Sequence, residues 1–294
     1  MSDHRQARRA LSGISFVKMT GSGNDFVFFD GRQVDASRLT SPEVIRAICS
    51  RHNGIGADGI VILEPVSASQ QASANNSIQA RIRYFNSDGT PADLCGNATL
   101  CSAVMSVELG LAHPDGMGLE TPSGRISSRV FDGVPEIELQ PVTQIVANLE
   151  IDRGPGERRI GYTIAGIPHV VILCENADAI DVVVRGPYLR HHPATGPEGA
   201  NVNWVSPLAD GSWRYRTFER GVEGETLACG TGAVATAILI ATWELTSSPV
   251  RILSSSGRDL EVRLERVGGA WHPTLRGEGR VVFRGQIGDL GTDS

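Results

Sequence analysis

Lysine is almost absent from this chain. Lys18 is its single lysine among 27 lysine and arginine residues. An enzyme that uses pyridoxal phosphate needs a lysine to form a Schiff base, and Lys18 precedes a Gly-Ser-Gly turn outside any phosphate-binding context. The composition therefore argues against pyridoxal phosphate, and we expect the protein to work without a cofactor.

Cysteine pairs and long apolar runs are also missing. Five cysteines, at positions 49, 95, 101, 174 and 229, form no Cys-Xaa-Xaa-Cys pair, so zinc is poorly supported. Residues 1–10 run into no apolar segment of the secretory type, and the cysteines are expected to stay reduced. The longest apolar stretch, residues 233–243, is too short to cross a bilayer. We expect no metal, no disulfide and no membrane span.

The formal charge of −6 comes from residues scattered along the chain, without a basic run. A nucleic-acid or anionic-membrane surface needs such a cluster. A small molecule is the partner that this charge pattern favours. The 294 residues are enough for two domains, each with its own core.

Alternating apolar segments predict that the first half begins as sheet, with strands within residues 15–30, 60–63 and 78–85. Residues 65–77 are predicted to be a solvated loop, and residues 42–51, preceded by Ser41, a short amphipathic helix. Gly54-Ile-Gly-Ala-Asp-Gly59 matches a dinucleotide-binding fingerprint by letter. Its order, helix then glycines then strand, is the reverse of what that motif requires, so we reject the match.

An internal repeat is the most informative feature of the sequence. Tyr84-Phe-Asn-Ser-Asp-Gly89 leads to Leu94-Cys-Gly-Asn97 and the apolar residues 98–112, and Thr217-Phe-Glu-Arg-Gly221 leads to Ala228-Cys-Gly-Thr231 and the apolar residues 232–243. Asn86 precedes Cys95 by nine positions, and Arg220 precedes Cys229 by nine. Each half is therefore predicted to end a strand, make a turn and place Cys-Gly at the start of an apolar helix.

A helix that is apolar all round must be buried on all sides, which predicts a sheet wrapped around a central helix in each half. Cys95 and Cys229 then become equivalent positions in two similar domains. A cleft between the domains would bring the two cysteines face to face.

Two thiols, one of them ionised, suit the exchange of a proton on the α-carbon of an amino acid. One removes the proton on one face, and the other returns a proton on the opposite face. A free cysteine has a pKa of about 8.5, and a helix N-terminus lowers it because backbone N–H groups stabilise the thiolate. The amides of Gly96, Asn97, Gly230 and Thr231 are also candidates to hold the α-carboxylate of the substrate.

The motifs of this chain together resemble those of the diaminopimelate epimerase family, in the same order, from about residue 15 to 285. They are Gly21-Ser-Gly-Asn-Asp-Phe26, His52-Asn-Gly-Ile-Gly-Ala-Asp58, Phe85-Asn-Ser-Asp-Gly89, Cys95-Gly-Asn97, Pro168-His169, Gly199-Ala-Asn-Val-Asn203, Glu219-Arg-Gly221 and Ala228-Cys-Gly-Thr-Gly232.

The resemblance implies an α+β fold of two pseudo-symmetric domains, each a sheet around a central buried helix. The first domain would span residues 1–140, with residues 279–294 returning to it, and the second residues 141–278. It also implies a cytoplasmic homodimer that acts in lysine and cell-wall precursor synthesis by interconverting LL- and meso-diaminopimelate.

The resemblance further implies roles for individual residues. Cys95 and Cys229 would be the two acid/base residues, with His169 and Glu219 assisting thiol ionisation or its reversal. Asn24, Asn86, Asn201 and Arg220 match positions that hold the polar groups of the substrate, and the fork of a guanidinium suits a carboxylate.

Three departures concern the identity of the substrate. Ile167 stands where the family commonly has asparagine, Gly96-Asn-Ala-Thr-Leu100 replaces the common Gly-Asn-Gly-Ala-Arg, and Gly59 stands where some members have glutamine. Ile167 motivates one alternative, a racemase of another amino acid such as histidine. A second alternative, of a different class, is a non-catalytic ligand-binding protein that keeps the same scaffold.

Other candidate groups have simpler interpretations. Cys49, Cys101 and Cys174 are predicted to be small buried core residues. His191 and His192 lie in a stretch rich in proline and glycine, without further ligands nearby, and are predicted to belong to a solvated loop.

Overall fold

The computed structural model describes residues 11–67, 77–92 and 95–290. Most of the predicted loop at 65–77 and all of residues 1–10 lie outside these ranges. The chain divides into two compact units. The first comprises the residues up to Glu136 together with those from Glu278 onward, and the second is Ile137–Gly277.

The first unit contains strands from the start of the chain and one from its end. The strands are β1 (Ser15–Gly21), β2 (Asn24–Asp30), β3 (Gly59–Pro65), β4 (Ala80–Asn86), β5 (Met117–Thr121), β6 (Gly124–Phe131) and β17 (Arg280–Gln286), while β7 (Val134–Glu138) lies at the boundary. The helices are α1 (Pro42–Cys49) and α2 (Gly96–Glu108), with a 3₁₀ turn at Ala36–Arg38.

The second unit contains the remaining strands. They are β8 (Ile145–Val146), β9 (Glu157–Ala165), β10 (Ile167–Cys174), β11 (Asn201–Pro207), β12 (Trp213–Glu219), β13 (Gly224–Thr226), β14 (Val250–Leu253), β15 (Asp259–Val267) and β16 (Ala270–Arg276). Its helices are α3 (Val182–Arg190) and α4 (Gly230–Thr242), with 3₁₀ turns at Ala177–Ala179 and Pro193–Thr195.

The predicted strands and helix of the first half are present with small shifts. Residues 15–30 form a hairpin rather than one long strand, since Ser22 and Gly23 have positive φ angles and reverse the chain. Helix α1 begins at Pro42, where the Ser41 hydroxyl accepts a hydrogen bond from the Val44 N–H, and ends at Cys49, two residues before the predicted end. Residues 50–58 then lead into β3, so helix, glycines and strand follow in the predicted order.

The sheet of the first unit has two apolar faces, as the period-two spacing of a strand requires. Val27, Phe29, Ile60 and Ile62 pack on one side in a cluster with α1. On the other side Phe26, Phe28, Val61 and Leu63 pack in a cluster with residues of α2. Helix α2 contacts β1, β2, β3, β4 and β6, so its side chains are buried on most sides.

The two units share one connectivity. Strands β1 to β6 pair as antiparallel, parallel, antiparallel, parallel and antiparallel neighbours. Strands β9, β10, β11, β12, β14 and β15 follow the same series. A parallel pair needs a crossover, usually a helix, and α1 and α3 supply the first crossover of each unit, α2 and α4 the second.

Each unit therefore has a central helix within a sheet, which confirms the predicted α+β fold. Helix α4 contacts β9, β10, β11, β14, β15 and β16. Strand β17 pairs antiparallel with β1, which joins the end of the chain to the first unit. Among the residues described, no helix is long and apolar enough to span a membrane.

Candidate active site

The two cysteines singled out by the repeat occupy the same local structure. Cys95 is the N-cap of α2, with φ −130° and ψ 114°. Cys229 is the N-cap of α4, with φ −126° and ψ 113°. Each is followed by a glycine and a helix of 13 residues.

The predicted placement of a thiol at each helix mouth is thus present in the structure. An N-cap side chain lies next to the first backbone N–H groups of the helix, whose partial positive charge favours an anion there. Gly96 and Gly230 are buried at the first helical position. Cys229 is 7% exposed, whereas Cys95 is partly exposed.

Around Cys95, a chain of hydrogen bonds fixes the side chain of Asn24. The Asn97 Nδ2 donates to Asn24 Oδ1 at 2.6 Å, and Asn24 Nδ2 donates to Asp58 Oδ2 at 3.0 Å. Since a carboxylate only accepts, this last bond assigns which end of the Asn24 amide is nitrogen. Asn24 therefore lies between the first turn of α2 and the carboxylate of Asp58.

Asp58 is in turn held by an ionic network. Arg51 Nη2 contacts Asp58 Oδ1 at 2.6 Å and Asp25 Oδ1 at 2.9 Å. Lys18 Nζ lies 2.7 Å from Asp25 Oδ2 and also donates to the Gly56 carbonyl. Burial opposes ionisation of Asp25, but hydrogen bonds from Arg51 and Lys18 outweigh it and hold the pKa of this carboxyl below its ordinary value.

This network leads to a prediction for Asp58. In Asp58→Asn an amide replaces the carboxylate that Arg51 and Asn24 both contact, so Asn24 loses a fixed orientation. Asn24 is predicted to bind a polar group of the substrate. We therefore expect kcat/KM for exchange of the α-proton to fall about 10- to 100-fold, the range for displacing a group that positions substrate. Steady-state kinetics measure this loss. Arg38→Gln on the exposed turn Ala36–Arg38 is the control, and equal activity of Asp58→Asn and the control would contradict the role.

Asn86 and Gly59 face each other across β3 and β4. The Asn86 Nδ2 donates to Thr90 Oγ1 at 3.1 Å within the turn that follows β4. A Cβ atom at residue 59 would lie 2.6 Å from a ring carbon of Tyr84. The Phe85 carbonyl oxygen would be nearer still, so the backbone of β4 and the Tyr84 ring together occupy the space that a side chain at residue 59 would need.

Around Cys229, two side chains direct hydrogen-bonding groups at the sulfur. Asn201 Nδ2 lies 3.8 Å and Thr231 Oγ1 3.5 Å from Cys229 Sγ. The Arg220 backbone N–H donates to Asn201 Oδ1 at 2.7 Å, so the NH₂ end of this amide is the one that faces the sulfur. Asn201, predicted to bind substrate, therefore contacts the thiol itself.

His169 lies behind Thr231 and is excluded from solvent. Its Nε2 is 3.2 Å from Thr231 Oγ1. Burial, reinforced by the nearby positive charge of Arg220, lowers the pKa of His169 to about 3. The ring is therefore neutral at neutral pH, and it cannot stabilise a thiolate as a cation.

Glu219 is the last residue of β12, and Arg220 follows it. Both charged side chains have partners in the second unit. Glu219 accepts a hydrogen bond from the Thr226 hydroxyl. Arg220 Nη1 donates to Glu198 Oε2 at 2.9 Å, and its side chain is 26% exposed. A substrate carboxylate would compete with the exposed Glu198 for this guanidinium.

The remaining cysteines and His192 have structural surroundings. Cys49, Cys101 and Cys174 are buried, and burial raises the pKa of Cys49 and of Cys174 to about 12 and raises that of Cys101 further. His192 caps the turn Pro193–Thr195 by accepting from the Ala194 N–H. Within the described ranges, no three His, Cys, Asp or Glu side chains are grouped as metal ligands.

Asn203 Nδ2 lies 3.3 Å from His169 Nδ1, and the hydroxyls of Thr217 and Tyr215 lie 3.0 and 3.2 Å from Asn203 Oδ1. Like Asp58, these three residues had no predicted role. Asp58 and Asn203 lie inside motifs that the sequence offered, but their partners could not be read from it. Tyr215 and Thr217 lie on β12 at period-two spacing, which indicates a shared face of the strand and nothing about its chemistry.

Solved structures of low sequence identity share this fold. A phenazine biosynthesis protein of the PhzF family from Bacillus anthracis has a TM-score of 0.71 at 15% identity, covering 93% of this chain and 98% of its own. A probable proline racemase from Agrobacterium radiobacter, with bound carbonate, has a TM-score of 0.62 at 18% identity, covering 93% and 92%.

The fold, the matched cysteines and the sequence relatives together define an isomerase of the epimerase class. A family model described as diaminopimelate epimerase matches residues 16–140 and 162–282. A diaminopimelate epimerase of Gemmatimonas aurantiaca is 58% identical over 286 residues, which cover 94% of this chain and 100% of the relative. The chain belongs to the diaminopimelate epimerase family, as the resemblance of its motifs predicted.

Proposed function

We propose that the protein interconverts LL-2,6-diaminopimelate and meso-2,6-diaminopimelate without a cofactor. The observation that carries the proposal is the pair of cysteines placed as N-caps of the central helices with the same backbone angles. Family membership supports diaminopimelate as the substrate.

In this reaction one cysteine, as thiolate, takes the proton from the α-carbon and becomes a thiol. The electron pair left on carbon is delocalised into the adjacent carboxylate. The other cysteine, as thiol, gives its proton to the opposite face and becomes the thiolate. Cys95 and Cys229 thereby exchange protonation states in each turnover, and each serves as the base in one direction.

The predicted site residues supply charge and orientation in this proposal. The first-turn amides of Gly96, Asn97, Gly230 and Thr231 hold the α-carboxylate, where negative charge grows as the proton leaves. Asn24, Asn86, Asn201 and Arg220 bind the polar groups of the substrate. Glu219 and the neutral His169 adjust the hydrogen bonding of the thiols.

The engagement of Lys18 supports the absence of pyridoxal phosphate from the mechanism. Its ammonium is buried against Asp25 and the Gly56 carbonyl. Formation of a Schiff base would remove N–H groups from this buried nitrogen, which bonds to both the Asp25 carboxylate and the Gly56 carbonyl. Proton transfer by the side chains themselves is the chemistry that remains for this chain.

The alternative of a racemase for another amino acid is motivated by Ile167. This residue begins β10, two positions before His169, where the family commonly has an amide. The family assignment favours diaminopimelate over this alternative, and a substrate panel that includes histidine decides between them. Fast turnover of diaminopimelate also excludes a non-catalytic binding protein.

We further propose that the two units are the two domains expected from the sequence, residues 1–140 with 279–294 and residues 141–278. The protein is proposed to act as a cytoplasmic homodimer in the synthesis of lysine and of a cell-wall precursor. Light scattering of the purified protein tests the dimer.

Exchange in deuterated water tests the function directly. With LL-diaminopimelate and no added cofactor, we expect one deuterium at an α-carbon of each product molecule, because the proton is returned from a thiol that exchanges with solvent. Proton NMR and mass spectrometry measure the label. Under reducing conditions, unlabelled substrate after many expected turnovers would reject the proposal, and label from histidine alone would support the alternative.

A further inference from the structure

The amide of Asn203 has a single orientation fixed by its buried partners. Its Oδ1 lies 3.0 Å from the Thr217 hydroxyl and 3.2 Å from the Tyr215 hydroxyl, and its Nδ2 donates to the Val170 carbonyl at 2.9 Å. A carbonyl oxygen only accepts, so the contact to Val170 identifies the nitrogen end. Asn203, Tyr215 and Thr217 are each at most 1% exposed, so water does not compete for these bonds.

This orientation decides which ring nitrogen of His169 carries the proton. Asn203 Nδ2 has a second N–H, and it lies 3.3 Å from His169 Nδ1. Nδ1 must then accept, and since a neutral imidazole has one N–H, the proton is on Nε2. The Nε2–H faces Thr231 Oγ1 at 3.2 Å and donates to it.

Thr231 passes this direction on to the sulfur. Its oxygen accepts from His169, which leaves its own hydrogen to point at Cys229 Sγ, 3.5 Å away. The Asn201 N–H approaches the same sulfur. A thiolate accepts both bonds, whereas a thiol would have to turn its own hydrogen away from both donors.

We propose that Asn203 is a positioning residue that holds His169 in the Nε2–H tautomer, so that Thr231 donates a hydrogen bond to Cys229 and favours its thiolate. The inference rests on the proposed function, in which Cys229 is an acid/base residue. Asn203 acts through His169 and Thr231 and does not itself touch the substrate.

The packing around Asn203 supports a role that depends on close approach. A Cβ atom at Gly232 would lie 2.6 Å from Asn203 Oδ1 and would also meet the Tyr215 hydroxyl. The glycine therefore allows the first turn of α4 to lie directly against the Asn203 amide. Tyr215 OH is also 3.2 Å from the Cys229 carbonyl, so the same group contacts the N-cap residue.

The residue of the first unit that corresponds to Thr231 makes a different contact. Asn97 stands two positions after Cys95, as Thr231 does after Cys229, and its amide donates to Asn24 Oδ1 at 2.6 Å. A change at Asn203 should alter the acid–base behaviour of Cys229 and leave that of Cys95 unchanged.

Nitrogen-15 NMR of the histidine rings tests the tautomer in the full-length protein, with His169→Gln used to assign the signals. We expect the wild type to show an unprotonated Nδ1 and a protonated Nε2 at His169. In Asn203→Asp a carboxylate, which only accepts hydrogen bonds, faces Nδ1. The ring proton should therefore move from Nε2 to Nδ1, and kcat should fall roughly 10- to 100-fold. A protonated Nδ1 in the wild type would overturn the inference.

A pair of variants at Thr231 keeps the test independent of how Asn203→Asp folds. Thr231→Ser retains the hydroxyl and should leave the pH dependence of Cys229 alkylation close to that of the wild type. Thr231→Val removes the hydroxyl and should raise the pH at which Cys229 becomes reactive toward an alkylating agent. Peptide mass spectrometry in the Cys95→Ala background measures this pH dependence. Equal pH profiles of Cys229 alkylation in the two variants would refute the proposed series of hydrogen bonds from His169 through Thr231 to Cys229. If the tautomer is as expected but diaminopimelate is not epimerised, the proposed function fails and the assignment of His169 stands.

Discussion

Replacing either Cys95 or Cys229 with alanine is expected to lower kcat for epimerisation by about 1,000-fold or more. Each variant lacks one of the two groups that move the proton, and a positioned acid or base contributes about 10²- to 10⁴-fold on its own. Water cannot fill the role well because it is a weaker acid than a thiol and a weaker base than a thiolate at neutral pH. Circular dichroism with diaminopimelate as substrate measures the rate.

Cys49→Ala is the matched control for these two variants. Cys49 lies in the apolar cluster with Ile45 and Ile48 on the α1 side of the sheet, and burial raises the pKa of its thiol to about 12. It is a neutral core residue, so its truncation should lower stability and leave kcat nearly unchanged. A Cys95→Ala or Cys229→Ala protein that keeps more than a tenth of the wild-type kcat would contradict the two-thiol scheme.

Trp204→Ala is expected to lower the free energy of unfolding by about 3–5 kcal/mol, the range for truncating a large aromatic side chain in a core. Trp204 is fully buried on β11 within the apolar cluster of the second unit. Its indole N–H also donates to Glu157 Oε1 at 3.1 Å. The substitution therefore leaves a cavity and removes a donor from a buried carboxylate. Urea unfolding followed by circular dichroism measures the loss.

Trp271→Ala on β16 serves as the comparison, because that ring is only partly buried and contacts Arg266 at its surface. A loss of about 1 kcal/mol is expected there. Trp204→Phe should fall between the two, since it fills most of the cavity without restoring the N–H donor. Similar losses at residues 204 and 271 would show that the cluster around Trp204 is not a core of this unit.

The Glu157 carboxylate, which accepts the hydrogen bond from Trp204, makes the stability of the folded protein depend on pH. Burial opposes the ionisation of Glu157, but hydrogen bonds from Arg185, the Gly154 N–H and Trp204 prevail and lower its pKa below 4.5 in the folded protein. A lowered folded pKa gives stability that is complete above pH 4.5 and is lost as the pH falls through the folded value. The decrease in the free energy of unfolding on acidification, measured by urea unfolding at a series of pH values, should be smaller in Glu157→Gln than in the wild type.

The sequence predicted the central helices and their cysteines because the signals are local. The repeat places Cys95 and Cys229 nine positions after equivalent turn residues, and the apolar residues that follow predict helices. Both helices begin one residue after the cysteine, two residues before the apolar segments by which they were predicted. A glycine or a polar residue at a first turn carries no apolar signal, which accounts for this shift.

The environment of each thiol could not be predicted in the same way. Asn24 meets Asp58 and Asn97 from 34 and 73 positions away, and Asn203 meets His169 from 34 positions away. Asparagine is also common in turns for backbone reasons alone. The residue types therefore suggested polar contacts without identifying partners.

By itself the sequence determined the class of fold, the two equivalent cysteines and the small-molecule chemistry open to them, since periodicity, spacing and composition act within short segments of chain. Only the tertiary structure decided that Asn201 and Thr231 approach the Cys229 sulfur and that burial keeps His169 neutral. It also decided that Lys18 forms an ion pair with Asp25. These properties depend on hydrogen-bond partners and solvent exclusion, which arise when the parallel strands and their crossover helices bring distant residues together.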